Sequence, residues 1–212
     1  MNSFVDQLLV LVFLLNFIVL GTSRINIAIR VVALQGMALG LIPSILHSFN
    51  LHLGLISAGM IMVKGFLIPW LLRRAISQVV IQREEQPYLG YVPIMLTGAV
   101  ATALAFVFAE QLPLAPQHKD LLFVPAAIAT LLTGFLMLVS RKKAISQVTG
   151  YLIMENGIFI FGLLLTEAMP VMVEAGALLD LLVGIFVMGI IINQISQEFS
   201  SIDTSRLTSL KE

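Results

Sequence analysis

Residues 150–165 read Gly150-Tyr-Leu-Ile-Met-Glu155-Asn-Gly-Ile-Phe-Ile-Phe-Gly-Leu-Leu-Leu165. A helix needs about 20 mainly apolar residues to cross a bilayer, and this stretch supplies most of them. It carries one ionisable side chain, Glu155. A carboxylate at the centre of a bilayer costs roughly 2.5–3.5 kcal/mol on insertion scales, so such a residue usually faces a partner or a wet cavity. We therefore expect Glu155 to be a functional position inside a transmembrane helix.

Two further charges interrupt apolar runs, Lys64 in an earlier run and Asp180 in a later one. A helix rises 1.5 Å per residue, which puts Glu155 and Lys64 each about eight residues, roughly 12 Å, from one end of their predicted spans. Asp180 lies near the middle of its span. Pro69 follows Lys64 by five residues and cannot donate a hydrogen bond to the carbonyl of Gly65, which predicts a kink and a free acceptor beside the lysine. The sequence thus predicts three charged groups at similar depth in the membrane.

The composition is that of an integral membrane protein. Of the 212 residues, 58% are hydrophobic and 11% are charged, and the mean hydropathy is +1.00. Soluble domains carry about 25% charged residues. Because the apolar runs are about 20 residues long and do not alternate, the fold is predicted to be all-α rather than a β-barrel.

The same composition bears on cofactors and partners. The net charge is zero, which argues against nucleic acid as a partner, so lipids and membrane proteins are the expected neighbours. There is no cysteine to hold an iron–sulfur cluster. The histidines His47, His52 and His118 lack metal-ligand spacing. We therefore expect no cofactor, no metal and no catalytic residue in this chain.

The apolar runs and the basic residues together predict the topology. Seven spans are predicted, at about 4–22, 26–46, 51–72, 88–109, 121–139, 147–166 and 172–194. In a seven-span arrangement ten basic residues fall on one side: Arg24, Arg30, Arg73, Arg74, Arg83, Arg141, Lys142, Lys143, Arg206 and Lys211. Lys119 falls on the other. The positive-inside rule then places the N-terminus outside and the C-terminus in the cytoplasm.

A short internal similarity predicts how the spans are grouped. Ile76-Ser77-Gln78 follows the third span as Ile195-Ser196-Gln197 follows the seventh, an offset of about 120 residues. This pattern suggests two parallel three-helix units joined by the fourth helix. The predicted units are 1–80, the first three-helix unit; 81–120, the linking helix and loops; 121–197, the second three-helix unit; and 198–212, a polar cytoplasmic tail.

Several polar side chains are candidates for a proton path through these spans. A buried acid and a buried lysine hold protons whose occupancy depends on desolvation and on neighbouring charges, which is what a proton relay requires. The predicted path consists of Glu155, Asp180, Lys64, Glu174, Gln35 and Asn156. In the alternative interpretation, Lys64 is a structural counter-ion of Glu155 or Asp180, and the amides hold helices together.

The stretch 150–157, followed by Val173-Glu174 and Asp180, resembles the hydrogenase-4 component E family, the membrane subunits of group 4 [NiFe] hydrogenases of the formate hydrogenlyase type. The same resemblance includes Lys64 with Pro69, and it includes the tail Ile202-Asp203-Thr-Ser-Arg-Leu207-Thr208-Ser-Leu210-Lys211. It covers nearly the whole chain. Residues 121–197 are also similar to the small K subunit of respiratory complex I. That subunit carries one glutamate in its second helix and one in its third, where this chain has Glu155 and the shorter Asp180.

The resemblance implies a multi-pass subunit of a complex in a bacterial or archaeal cell membrane, the inner membrane where there are two. Its implied partners are antiporter-like membrane subunits, a quinone-site-like membrane subunit and a peripheral hydrogenase arm. The [NiFe] centre and the iron–sulfur clusters would belong to these partners. Within such a complex, Glu155, Asp180 and Lys64 would belong to a central hydrophilic axis that couples redox energy to proton movement.

Three functions remain open from the sequence. The first is a proton-coupling subunit of a hydrogenase-type complex, in which this chain is not catalytic by itself. The second is a subunit of a cation/proton antiporter assembly, although the small subunits of that kind usually have three spans. The third is a structural membrane scaffold, in which the buried charges only hold helices together.

Overall fold

The computed structural model describes residues 2–46, 51–77, 88–112 and 122–165. These ranges consist of helices joined by short turns, and none of the described residues lies in a β-strand. The helices are α1 (Asn2–Gly21), α2 (Ile25–Leu46), α3 (Leu51–Met60), a π-helical segment (Ile61–Leu67), α4 (Ile68–Ser77), α5 (Tyr91–Gln111), α6 (Phe123–Ser140) and α7 (Ala144–Leu165).

Five of these helices, α1, α2, α5, α6 and α7, are long and apolar enough to cross a membrane. The predicted all-α, multi-pass membrane protein is therefore confirmed. The predicted third span, 51–72, is a continuous run of α3, the π-helical segment and α4, and it extends to Ser77. The predicted seventh span, 172–194, lies outside the described residues. The count of seven, the orientation and the division into units stay predictions.

Proline and aspartate side chains help to define where helices begin. Pro93 and Pro125 are the third residues of α5 and α6. First-turn N–H groups have no acceptor within their own helix, so a proline costs little there. Asp6 on α1 accepts a hydrogen bond from the N–H of Leu122, just before α6, at 3.3 Å. The acid therefore ties α1 to the start of α6.

The most extensive helix contact is that between α6 and α7. Glycines allow their backbones to meet: a Cβ atom on Gly157 would lie 2.5 Å from the backbone nitrogen of Leu131. A Cβ atom on Gly134 would clash in the same way with the backbone nitrogen of Met154. Small residues at such contacts are typical of helices that associate within membranes. This contact holds Glu155, which lies on α7, on a rigid pair of helices.

The buried side chains form two apolar clusters with a polar layer between them. One cluster lies near the basic turns and includes Leu20, Ile25, Ile29, Leu72, Ile76, Ile94 and Ile153. The other lies toward the opposite end and includes Val5, Leu9, Leu39, Ile42, Met60, Phe123 and Phe159. A set of polar side chains on α1, α2, the π-helical segment, α6 and α7 lies at or close to the boundary between the two clusters. We call this set, Asn16, Gln35, Lys64, Thr130, Glu155 and Asn156, the polar layer.

Candidate functional site

An ion pair lies in the polar layer. Lys64 Nζ is 2.8 Å from Glu155 Oε1, and the two side chains are 11% and 4% exposed. The ammonium is also 5.4 Å from the centroid of the Phe159 ring, which lies one helical turn beyond Glu155 on α7. Taking two charges out of water is favourable only when they are paired with good geometry. The short distance satisfies the geometric part of this condition, whereas the second carboxylate oxygen, Oε2, is buried without a hydrogen bond from the described residues.

The lysine comes from the π-helical segment rather than from a regular helix. Within Ile61–Leu67 the hydrogen bonds span five residues, and the N–H of Ile68 likewise donates to the carbonyl of Val63. Pro69, which has no N–H, follows directly. The structure thus has a π-helical segment at the place where Lys64 and Pro69 predicted a distortion of the helix. Short π-helical turns often occur at functional sites, so this local geometry also makes Lys64 a candidate functional residue.

A hydrogen-bonded chain of amides lies beside the ion pair. Asn156 Nδ2 donates to Gln35 Oε1 at 3.5 Å. Gln35 Nε2 donates to Asn16 Oδ1 at 2.8 Å, and Asn16 Nδ2 donates to Thr130 Oγ1 at 2.9 Å. The chain links α7, α2, α1 and α6 in that order. All four side chains are buried, so their hydrogen bonds satisfy polar groups that would otherwise be costly inside the protein.

Helix α2 approaches the π-helical segment through two glycines. A Cβ atom on Gly36 would lie 2.7 Å from Lys64 Cβ, and one on Gly40 would lie 2.8 Å from Ile61 Cγ1. Real Cβ atoms essentially never come closer than 3.0 Å to another heavy atom. The close approach of α2 to Lys64 therefore depends on glycine at position 36, and its close approach to Ile61 depends on glycine at position 40.

The ion pair and the amide chain differ in what they can do chemically. Lysine and glutamate side chains each carry an exchangeable proton, so a pair of this kind can be ammonium with carboxylate or amine with carboxylic acid. Amide groups donate and accept hydrogen bonds but keep their protons near neutral pH. The pair is therefore the part of the polar layer that can take up and release protons, and the amides orient the helices around it.

Four of the six predicted path residues, Lys64, Glu155, Gln35 and Asn156, meet in the polar layer. The other two, Asp180 and Glu174, lie outside the described residues. The lysine, which the sequence could have paired with either acid, contacts Glu155. No group of three or more histidine, cysteine, aspartate or glutamate side chains within the described ranges could hold a metal ion.

Sequence reasoning missed Thr130 and the two glycines of α2. Thr130 gives little signal, because one hydroxyl in an apolar run is common. The glycines could have been found, because Gly36 and Gly40 form the G-x-x-x-G spacing that marks close helix approach in membranes. Asn16 of α1 makes hydrogen bonds across helices to Gln35 of α2 and Thr130 of α6.

A second buried cation lies at the basic end of the helices. Arg141, in the turn between α6 and α7, is 2% exposed. Its Nη2 donates to the carbonyl oxygens of Leu20 at 3.1 Å and Thr22 at 3.2 Å, at the end of α1. Its guanidinium carbon is 4.8 Å from the centroid of the Tyr91 ring. Arg141 thus joins the end of α1 to the start of α5 and to the α6–α7 turn.

The fold and the polar layer define a class: a multi-pass, all-α membrane protein with an acid–lysine pair buried between α7, one of its membrane-crossing helices, and the π-helical segment. Comparison with known proteins gives the family. Hydrogenase-4 component E of Escherichia coli K12 is 31% identical over 157 residues, which are 73% of this chain and 72% of the relative. The same protein of Shigella flexneri matches with the same values. The chain belongs to the hydrogenase-4 component E family.

A further relative covers more of the chain. An uncharacterized protein of Mycobacterium tuberculosis is 29% identical over 202 residues, 94% of this chain and 92% of the relative. No protein-family model matches the chain. No solved structure matches it.

Proposed function

We propose that this chain is an integral membrane subunit of a hydrogenase-type redox complex and that the Lys64–Glu155 pair forms part of its proton-coupling path. The observation that carries the proposal is the 2.8 Å contact between Lys64 Nζ and Glu155 Oε1, inside the membrane-crossing part of a member of the hydrogenase-4 component E family. The [NiFe] centre and the iron–sulfur clusters lie in other subunits of the complex, and the complex lies in the bacterial or archaeal cell membrane.

The proton chemistry of the pair supports a role in coupling. When a proton passes from Lys64 to Glu155, an ion pair becomes a neutral pair, so the local field at the centre of the polar layer changes without movement of the helices. A further proton, or the charge of a neighbouring subunit, then shifts the balance between the two states. Gln35 and Asn156 line the path and orient Glu155. Asp180 and Glu174 would continue it toward the partners.

The partners follow from the same assignment. Antiporter-like membrane subunits and a quinone-site-like subunit would lie beside this chain, and the peripheral hydrogenase arm would lie on the cytoplasmic side. Helix α5 suits such a neighbour or lipid, because only Ile94, Gly98 and Ala105 of its residues are buried within this chain.

Replacement of Glu155 by glutamine tests the proposal. The variant keeps the shape of the side chain and removes its proton exchange, so the complex should assemble and evolve hydrogen while the number of protons moved per hydrogen falls. The measurement uses the purified complex in sealed vesicles, with a pH-sensitive dye inside and hydrogen evolution recorded in parallel. Glu110→Gln is the matched control, since Glu110 is an exposed acid at the end of α5.

The same experiment separates the alternatives. A structural scaffold predicts that Glu155→Gln assembles and moves protons as the wild type does, and that result would exclude the coupling role. An antiporter-related assembly predicts cation/proton exchange by a purified complex that contains no nickel and evolves no hydrogen. A gene for a [NiFe] large subunit beside the gene for this chain favours the hydrogenase-type complex.

A further inference from the structure

Lys64, the cationic half of the ion pair, lies at a contact between α2 and the π-helical segment. Gly36 faces Lys64, and Gly40, one helical turn further along, faces Ile61. Because a Cβ atom on Gly36 would lie 2.7 Å from Lys64 Cβ, the lysine backbone can approach α2 this closely only when position 36 has no side chain.

The neighbouring residue on α2 contacts the other half of the pair. Gln35 accepts a hydrogen bond from Asn156, which is adjacent to Glu155 on α7. Gly36 thus contacts the segment that carries Lys64, and the adjacent Gln35 contacts α7, the helix that carries Glu155. The position of α2 therefore sets the distance that the Lys64 side chain spans to reach Glu155.

We propose that Gly36 is a positioning residue for the Lys64–Glu155 pair. The inference rests on the proposed function, in which this pair exchanges protons. Atoms in ordinary van der Waals contact lie about 3.5–4.0 Å apart, so an alanine at position 36 displaces the Lys64 backbone by roughly 1 Å. The contact of 2.8 Å lies within the hydrogen-bonding range, which ends at about 3.2 Å for a nitrogen donor. A displacement of that size moves the ammonium out of reach of the carboxylate.

Gly36→Ala in the whole complex tests the inference, with Gly40→Ala as the matched control. Both changes push on the same segment from the same helix, but the Gly40 contact is with Ile61 Cγ1 rather than with the lysine. Gly59→Ala is a second control, because no other described residue outside its own stretch of helix has a heavy atom within 4 Å of a Cβ atom there. We expect proton movement per hydrogen evolved to fall roughly tenfold in Gly36→Ala alone, within the range that a misplacement of about 1 Å causes.

The carboxyl of Glu155 gives a readout that does not depend on transport. Infrared difference spectra between the wild type and Glu155→Gln identify its band. We expect Gly36→Ala to shift this band and Gly40→Ala to leave it in place, whereas a purely packing role for Gly36 would not distinguish them. If the lysine stem absorbs the displacement, Gly36→Ala will match Gly40→Ala in both the band and the coupling, and the inference is overturned.

A second variant covers the case in which Gly36→Ala does not assemble. Glu155→Asp shortens the acidic side chain by one methylene and so increases the distance between the carboxylate and the Lys64 ammonium without a clash. The variant should therefore assemble and lose coupling. Normal coupling in Glu155→Asp overturns the inference. Normal coupling in Glu155→Gln overturns the proposed function instead, and the infrared band then still reports whether Gly36 positions the pair.

Discussion

Two buried cations in this protein are held in different ways. Lys64 lies in the polar layer and contacts a carboxylate, Glu155, at 2.8 Å. Arg141 lies at the basic end, where the groups it contacts are backbone carbonyl oxygens and the face of Tyr91. Among the described residues no carboxylate pairs with Arg141, and its Nε and Nη1 atoms are buried without a hydrogen-bond partner.

The two environments suit the two cations to different roles. An arginine side chain keeps its proton in proteins, and a cation at the C-terminal end of a helix is stabilised by the helix dipole. Arg141 therefore suits a permanent link between helix ends. A lysine can release its proton to a neighbouring carboxylate. Lys64 and Glu155 therefore suit an exchangeable charge, and stability measurements can separate the two cases.

The largest loss of stability is expected when only one residue of the ion pair is replaced. Glu155→Leu leaves the lysine buried without its carboxylate, and breaking a buried pair in this way costs about 3–5 kcal/mol. Replacing both residues, with Lys64→Met and Glu155→Leu, removes the charges together and should restore most of the free energy of unfolding. The free energy is measured by SDS titration in mixed micelles, with the fluorescence of Trp70, the single tryptophan, as the signal.

The double variant separates the effect of the charges on stability from their effect on proton coupling. It should be nearly as stable as the wild type while proton coupling is lost. A double variant as unstable as Glu155→Leu would mean that the pair is needed for folding, and this would favour the scaffold interpretation.

A smaller loss of stability is expected when Arg141, at the basic end of the helices, is replaced. Arg141→Leu removes the donor to the carbonyls of Leu20 and Thr22, and hydrogen bonds from a charged group contribute about 1.5–3 kcal/mol each. We expect a loss of about 2–3 kcal/mol in the same titration, because water reaches part of the freed carbonyls. Arg141→Lys keeps one donor and the charge, so it should lose less. Equal losses in the two variants would contradict the assignment of Arg141 as a donor to the end of α1.

The sequence predicted the fold class well because the bilayer imposes a simple rule. Apolar runs of about 20 residues must form helices when no water can satisfy the backbone. The predicted spans 4–22, 121–139 and 147–166 accordingly lie within one to three residues of α1, α6 and α7. The third span was less predictable: Lys64 and Pro69 mark a distortion, but its π-helical form could not be read from the sequence.

The site was predictable in its residue types and less so in its contacts. Lys64 and Glu155 are conspicuous because charges are rare in apolar runs. The choice of Glu155 as the partner of Lys64 depends on which helices are neighbours, and the G-x-x-x-G spacing at Gly36 and Gly40 was the available signal for the contact that brings Lys64 to α2. Thr130 could not be assigned to the amide chain, since its role appears only when α1 and α6 are side by side.

The smallest loss of stability is expected when one link of the amide chain is removed. Gln35→Leu removes the central link and leaves Asn16 Oδ1 and Asn156 Nδ2 without this partner. Hydrogen bonds between helices in membranes contribute on average about 0.6 kcal/mol each, so the loss should be about 0.5–1.5 kcal/mol. Thr97→Val is the matched control, since Thr97 is exposed and its hydroxyl donates only within α5, to the carbonyl of Pro93 at 2.9 Å. A loss in Gln35→Leu as large as that in Glu155→Leu would mean that the amides and the ion pair act as one unit, and the separation between an orienting chain and an exchangeable pair would then have to be given up.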